Sequence, residues 1–140
     1  MKRTLFTTPQ DAEAAFYEAF EKADLDAMMA VWSDDDDIVC VHPGGARRVG
    51  YDAVRASWEQ IFAAEERLRF ELDRVVLIET VGLAMQSAIE QISVGAERTP
   101  RGAAFATNVF MRTPYGWRLV MHHASPAPTI AVAQAAGPLH

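Results

Sequence analysis

The chain has 140 residues, half of them hydrophobic, and a formal net charge of −6. This length fits one domain, and the acidic balance, without Lys and Arg clustered among aromatics, excludes a typical nucleic-acid surface. No apolar run approaches the roughly 20 residues that span a bilayer, and the first ten residues lack the apolar core of a signal peptide. We therefore expect a cytoplasmic protein with neither a nucleic-acid nor a membrane partner. The single cysteine, Cys40, excludes an internal disulfide and a Cys-rich zinc site.

Three helices are predicted in the first half of the chain. Thr8 precedes a helix from about Pro9 to Lys22, with Pro at its first position and an acid in its first turn. Asp24 caps a second, shorter helix, and Gly50 precedes a third that runs from Tyr51 to about Ala64. Each helix carries apolar residues at steps of three and four, so each presents one face to the core.

The other segments have the alternation and turn residues of strands. We predict strands at Ile38–His42, Arg67–Glu79 with a bulge near Asp73, Leu83–Val94, Ala103–Thr113 and Trp117–His123. The short loops between the last four strands indicate antiparallel neighbours. Helices followed by a meander predict an α+β fold, in which a curved antiparallel sheet wraps around the N-terminal helices and encloses a pocket. The domain is expected at residues 1–125, followed by an Ala- and Pro-rich tail at 126–140.

A series of short motifs runs between about Pro9 and Ser125. They are Asp24-Leu25-Asp26, Val31-Trp32, Asp35-Asp36-Asp37, Ser57-Trp58 and the last strand from Gly116 to Ser125. In this order they resemble the superfamily that includes nuclear transport factor 2, ketosteroid isomerase and the SnoaL-like polyketide cyclases. The last strand is also similar to that of the association domain of calcium/calmodulin-dependent kinase II. The resemblance implies a cone-shaped fold, usually dimeric, with a pocket between sheet and helices.

Two histidines are the candidate catalytic residues, because imidazole titrates near neutrality and can move a proton. In the first strand, alternation places Cys40 and His42 on one face. In the last strand it groups Met121 and His123 on the more apolar face, so we predict that His123 points into the pocket and His122 points outward. The alternative for each is a structural histidine that is hydrogen-bonded for stability.

The remaining pocket residues should be mostly apolar with a few polar groups. We predict that the ligand is contacted by Tyr17, Trp32, Cys40, Trp58, Phe62, Asn108 and Met121. The Tyr17 phenol would donate to an oxyanion, and Asn108 would orient a ligand carbonyl or a histidine. The alternatives are ordinary core packing for the apolar residues and Tyr17, and a polar outer strand face for Asn108. A nucleophilic Cys40–His42 pair competes with an inert buried thiol.

The pattern favours neither a metal nor a cofactor. The acidic run Asp34–Asp37 lacks the glycine-punctuated spacing of a calcium loop and is typical of a solvated turn. No His-x-His or His-x-x-x-His spacing supports a transition-metal site.

Two functions follow. The first is a cofactor-free isomerase or cyclase that acts on a small apolar molecule, with His42 or His123 transferring a proton. Neither the first strand nor the segment Leu119–His123 offers an acid, so the carboxylate base that the resemblance to ketosteroid isomerase implies is not expected. The second is a non-catalytic module that binds a ligand or associates subunits, with the outer sheet face forming a homodimer.

Overall fold

The computed structural model describes residues 4–97 and 99–128. Its helices are α1 (Pro9–Lys22), α2 (Leu25–Val31) and α3 (Tyr51–Phe62). Its strands are β1 (Val39–Val41), β2 (Arg47–Val49), β3 (Leu68–Glu79), β4 (Leu83–Val94), β5 (Gly102–Thr113) and β6 (Gly116–Pro126). Both predicted caps are present, because the side chain of Thr8 accepts the backbone N–H of Asp11 and that of Asp24 accepts the N–H of Ala27. Among these elements only β2 was not predicted.

The six strands form one curved, unclosed sheet in the order β2-β1-β6-β5-β4-β3. All neighbouring strands are antiparallel except β1 and β6, which run parallel. The α+β fold is therefore confirmed. Strand β6 continues to Pro126, one residue beyond the predicted domain end, and Ala127 still donates its N–H to the carbonyl of Ala103. Residues 129–140 of the predicted tail lie outside the described residues. No helix in the described ranges is long and apolar enough to cross a membrane.

Two irregularities change which side chains face the helices. In β3 the register shifts between Asp73 and Val76, where Arg74 has a φ of 53°, and this confirms the predicted bulge. In β6, Leu119 pairs with Phe110 whereas Met121 pairs with Val109, so Val120 is an extra residue without a partner on β5. Because strand side chains alternate, an inserted residue moves everything after it to the opposite face.

The core lies between the inner face of the sheet and the helices. Its largest fully buried apolar side chains include Phe16 of α1, Trp58 of α3 and Phe110 of β5. At the start of β6, Gly116 has a φ of 92°, and a Cβ placed there would lie 2.6 Å from the carbonyl oxygen of Phe6. Only glycine fits at position 116, because the backbone of Phe6 comes this close when it pairs with the first residue of β6.

Candidate functional site

His122 is the inward-facing histidine of β6, so the predicted orientation of the histidine pair is wrong. The side chain of His122 is 1% exposed, whereas His123 lies exposed on the outer sheet face. The cause is the bulge at Val120, which reverses the alternation that held from Trp117 to Leu119. Met121 moves with it to the outer face, where it pairs with Val109 and cannot form part of an inner pocket wall.

Four buried side chains form a continuous hydrogen-bonded series across the inner face. The hydroxyl of Tyr17 donates to Oε2 of Glu90 at 2.7 Å, and Nδ2 of Asn108 donates to the Tyr17 hydroxyl at 3.1 Å. The other end of the Asn108 amide, Oδ1, lies 2.6 Å from Nδ1 of His122. These side chains, which come from α1, β4, β5 and β6, are between 1% and 9% exposed. Asn108 therefore orients a histidine, and it does not lie on a polar outer face.

Glu90 is an inward carboxylate that the sequence did not predict. It lies on β4, whereas the expectation that no acid points inward rested on the first and last strands alone. On β4 the inner face carries Ala84, Gln86, Ala88 and Glu90 at alternate positions. Two small and two polar residues are typical of a solvated strand face. The sequence therefore shows that β4 alternates, but not which of its two faces is buried.

His42 is held close to His122 by the parallel pairing of β1 with β6. Cys40 lies opposite His122 in this register, and the ring centroids of His42 and His122 are 6.3 Å apart. Nε2 of His42 lies 3.1 Å from Oγ of Ser57, and Sγ of Cys40 lies 3.5 Å from the same nitrogen. Because Ser57 gives its own proton to the carbonyl of Val54, its oxygen accepts the proton of Nε2, which leaves Nδ1 of His42 as the basic nitrogen.

Burial shifts the pKa values of the titratable groups in the hydrogen-bonded series and of His42. Burial lowers the pKa of His42 to about 4, helped by the nearby charge of Arg48, and lowers that of His122 to about 3. Burial raises the pKa of Glu90 to about 7, against the opposing effect of the Tyr17 hydrogen bond, and it also raises the pKa of Tyr17. Both imidazoles are therefore neutral near pH 7, and Glu90 is poised between its two forms.

The predicted nucleophilic pair is not favoured by this environment. Burial raises the pKa of the Cys40 thiol to about 12, so that a thiolate is scarce at neutral pH. Cys40 is fully buried beside His42 and packs as part of the main hydrophobic core.

The predicted aromatic residues divide between the core and a surface groove. Trp32 is 2% exposed, and Trp58 is fully buried with its ring centroid 4.5 Å from that of His42. Phe62 is half-buried and lines a groove of about 310 Å³. The other residues of the groove are Phe20, Ala23, Gln60, Ile61, Ala64, Glu66, Arg67 and Leu68. The rings of Phe20 and Phe62 pack against Trp58, so this one aromatic layer lies between the groove and the histidines.

The described residues include no group of three or more His, Cys, Asp or Glu side chains arranged to hold a metal ion. Asp34–Asp37 are exposed, and the N–H of Asp37 is accepted by the side chain of Asp35, as expected for a solvated turn.

The chain matches a known protein family and is similar to proteins of known structure. The sequence model of the SnoaL-like domain matches residues 10–129. A candidate calcium/calmodulin-dependent protein kinase type II association domain from Thiobacillus denitrificans is 44% identical, with a TM-score of 0.83 over 89% of this chain and 99% of that one. A candidate dehydratase of the NTF2-like family from Streptomyces avermitilis is 35% identical, with a TM-score of 0.75 over 84% of this chain and 92% of that one.

A plant protein is also similar. The F-box protein SKIP8 of Arabidopsis thaliana is 28% identical over 111 residues, which are 79% of this chain and 46% of that protein. The chain thus spans about half the length of this relative. Together, the family match across most of the chain and the shared fold show that the chain belongs to the SnoaL-like domain family.

Proposed function

We propose that this protein is a cofactor-free acid–base catalyst of the isomerase or cyclase type, acting on a small apolar molecule. The observation that carries the proposal is the state of His122. Its Nδ1 is fixed by Asn108, and its Nε2 makes no hydrogen bond to a described residue. A neutral imidazole with one anchored and one free nitrogen has the arrangement that a general base requires.

The second histidine supports the same chemistry. His42 is likewise anchored through Nε2, and its Nδ1 makes no hydrogen bond to a residue in the described ranges; its ring centroid lies 6.3 Å from that of His122. Two bases at this separation suit the removal of a proton at one carbon and its return at another, which an isomerisation requires. This proton transfer needs no metal or cofactor. Glu90 and Tyr17 form the end of the hydrogen-bonded series that lies farthest from His122.

The surroundings of His122 favour a small apolar substrate. Ala88, Ala106 and Ala124 lie opposite one another on the inner faces of β4, β5 and β6, beside Asn108 and His122. These side chains are short and apolar, and Phe16 and Trp58 supply aromatic surface next to the ring of His122. We propose that the ligand pocket lies here, beside His122.

Solvent deuterium exchange tests this proposal with a panel of model compounds in place of the unidentified substrate. Small cyclic ketones would be incubated with the protein in D₂O, and loss of the α-proton signal followed by NMR. We expect exchange with at least one ketone, and a decrease of about 10²-fold or more in His122→Gln. The matched control is His123→Gln, an exposed histidine one residue away, which should retain the wild-type rate. Exchange at the buffer rate for the whole panel, or equal rates in the two variants, would contradict the proposal.

We also propose a homodimer formed through the outer face of the sheet, which is the association alternative. One apolar row crosses all six strands at paired positions: Val49, Val39, Met121, Val109, Met85 and Ile78. Ile78 is 55% exposed and Met85 is 40% exposed. On the same face, Oε1 of Gln91 is buried without a hydrogen-bond partner. A continuous apolar face of this kind typically marks an interface, and the related association domain from Thiobacillus denitrificans agrees with this interpretation.

Sedimentation at micromolar concentration tests the dimer. The wild-type protein should sediment as a dimer, and Met85→Lys, which places a charge in the exposed part of the row, should shift it to a monomer. Val81→Lys is the matched control, because Val81 is 84% exposed in the turn between β3 and β4. A monomeric wild-type protein, or a dimer that survives Met85→Lys, would exclude this interface.

A cytoplasmic location stays a prediction of the sequence.

A further inference from the structure

The series Glu90–Tyr17–Asn108–His122 has a fixed direction when Glu90 is ionised. A carboxylate only accepts hydrogen bonds, so the Tyr17 hydroxyl must give its proton to Glu90. The Tyr17 oxygen then accepts from Nδ2 of Asn108, which turns Oδ1 of the amide toward the ring. Oδ1 accepts the proton of Nδ1, and Nε2 of His122 is left as the unprotonated nitrogen.

We propose that the ionisation state of Glu90 decides which ring nitrogen of His122 carries the proton, although the two side chains do not touch. Glu90 is thus a positioning residue that acts through Tyr17 and Asn108. When it is ionised, Nε2 of His122 is a base. When it is protonated, the series can run in the opposite direction and Nε2 becomes a donor.

The reversed series conserves every proton. The Glu90 carboxyl donates to the Tyr17 oxygen, and the Tyr17 hydroxyl donates to Oδ1 of an Asn108 amide that has turned over. Nδ2 of Asn108 then donates to Nδ1 of His122, so the ring proton sits on Nε2. The reversed state holds one proton more than the first, and that proton is on Glu90. His122 is neutral in both states, and its ring proton exchanges with solvent.

The surroundings allow Glu90 to change state near neutral pH while His122 stays neutral. Burial raises the pKa of Glu90 to about 7, and burial lowers that of His122 to about 3. Leu72 of β3 and Ala104 of β5 lie opposite Glu90 in the sheet, so neither neighbouring strand offers a charge there. The titratable groups that face the series are Glu13 from α1 and Cys40 and His42 from β1 and its end, whereas His123, next to His122 in β6, lies on the outer face.

The inference extends the proposed function, since it says when His122 is a base, but its test needs no substrate. Long-range ¹H–¹⁵N spectra of ¹⁵N-labelled protein distinguish protonated from unprotonated ring nitrogens, and His122→Gln assigns the signals of His122. At about pH 8.5 we expect the Nδ1–H form in excess by about tenfold or more, because a hydrogen-bonded series that ends on a charged group is strongly directional. At about pH 5.5 the Nε2–H form should predominate.

Three variants identify Glu90 as the cause. Glu90→Leu and Tyr17→Phe each break the series, the first at its end and the second in its middle, and both should abolish the pH-dependent exchange of tautomers. Glu13→Gln is the matched control, because Glu13 is a half-buried carboxylate on α1 whose pKa is also raised by burial, and it should keep the transition. Amide spectra verify that each variant is folded.

Two outcomes would overturn the inference. One is a wild-type protein in which His122 keeps the same tautomer from about pH 5.5 to 8.5. The other is a transition that persists in Glu90→Leu or in Tyr17→Phe. Neither outcome would decide the deuterium-exchange experiment, so failure of the inference and failure of the proposed function are distinguishable.

Discussion

Nδ1 of His122 donates a proton to Oδ1 of Asn108 across 2.6 Å, and the two residues lie directly opposite each other on β6 and β5. Both side chains are 1% exposed, so neither can replace this bond with one to water. The pair fixes the ring of His122 and ties the base proposed above to the interior of the sheet.

Replacing Asn108 should therefore be costly. Asn108→Ala leaves the Nδ1–H of His122 and the hydroxyl of Tyr17 with one partner fewer in a dry interior, and we expect a loss of about 2–4 kcal/mol in the free energy of unfolding. Urea unfolding measures it. Thr107→Ala is the control, because Thr107 is the adjacent half-buried residue on the opposite face, and it should cost less than about 1 kcal/mol. Equal losses in the two variants would show that the Asn108 bonds do not stabilise the fold.

The Tyr17–Glu90 bond should make the effect of Tyr17→Phe depend on pH. Burial already raises the pKa of Glu90 to about 7, above its value in the unfolded chain, so stability declines as the pH rises from about 4.5 to 7. The Tyr17 hydroxyl opposes that shift, and its removal should raise the pKa further. The loss of stability should therefore be larger at about pH 8 than at about pH 5, by about 1 kcal/mol for an added pKa shift of about one unit, because pH 8 lies only about one unit above the wild-type pKa.

Urea unfolding at the two pH values provides the comparison for Tyr17→Phe. Tyr51→Phe removes the hydroxyl of a half-buried tyrosine on α3 that packs against the same core, and its cost should not change with pH. A Tyr17→Phe loss that is the same at both pH values would mean that the hydroxyl does not stabilise the Glu90 carboxylate.

The two buried histidines should destabilise the fold in acid. Their folded pKa values are about 4 for His42 and about 3 for His122, below the ordinary value of 6.5. Below about pH 6.5 the unfolded chain therefore binds more protons at these two residues than the folded chain does. Stability is therefore lost as the pH falls below about 6.5, by about 1.4 kcal/mol per pH unit for each histidine. Glu90 acts in the opposite direction between about pH 7 and 4.5 and offsets one of the two.

His122→Gln isolates this contribution. Between about pH 6.5 and 4.5 the slope of unfolding free energy against pH should decrease by about 1.4 kcal/mol per unit, as measured by urea midpoints at several pH values. His123→Gln is the control, because His123 lies exposed on the outer face and not among the buried groups, and it should leave the slope near that of the wild type. An unchanged slope in His122→Gln would show that His122 is already protonated in the folded protein.

Much of the fold could be predicted because its signals are local. The bounds of α1 follow from the Thr8 cap and the spacing of its apolar residues, and β4 begins and ends where the alternation does. The parallel pairing of β1 with β6 and the short strand β2 have no such local signal, since they depend on register between distant segments.

The site was predicted only in part, because two of its features depend on which face of a strand is buried. Leu119, Val120 and Met121 are all apolar, so the sequence carries no sign of the inserted residue that turns His122 inward. For Glu90, alternation along β4 does not show which face is buried, and its partner Tyr17 comes from the distant helix α1. The structure does bring Tyr17, Cys40, His42 and Asn108 close together: three of them lie on regular parts of their elements, and His42 directly follows β1.

The bulge at Val120 can be tested by deleting that residue. Deletion leaves Leu119 opposite Phe110 and makes Met121, opposite Val109, the next residue, so the strand becomes regular while His122 stays inward and opposite Asn108. The same side chains then face the interior, and we expect the deletion variant to fold with its His122–Asn108 pair kept, at a melting temperature within about 10 °C of the wild type. Val120→Ala keeps the inserted residue and removes only part of a half-buried side chain, which should cost about 1 kcal/mol, or about 3–5 °C. A deletion variant that does not fold, while Val120→Ala does, would mean that the residues after Val120 do not keep their partners on β5 without the inserted residue.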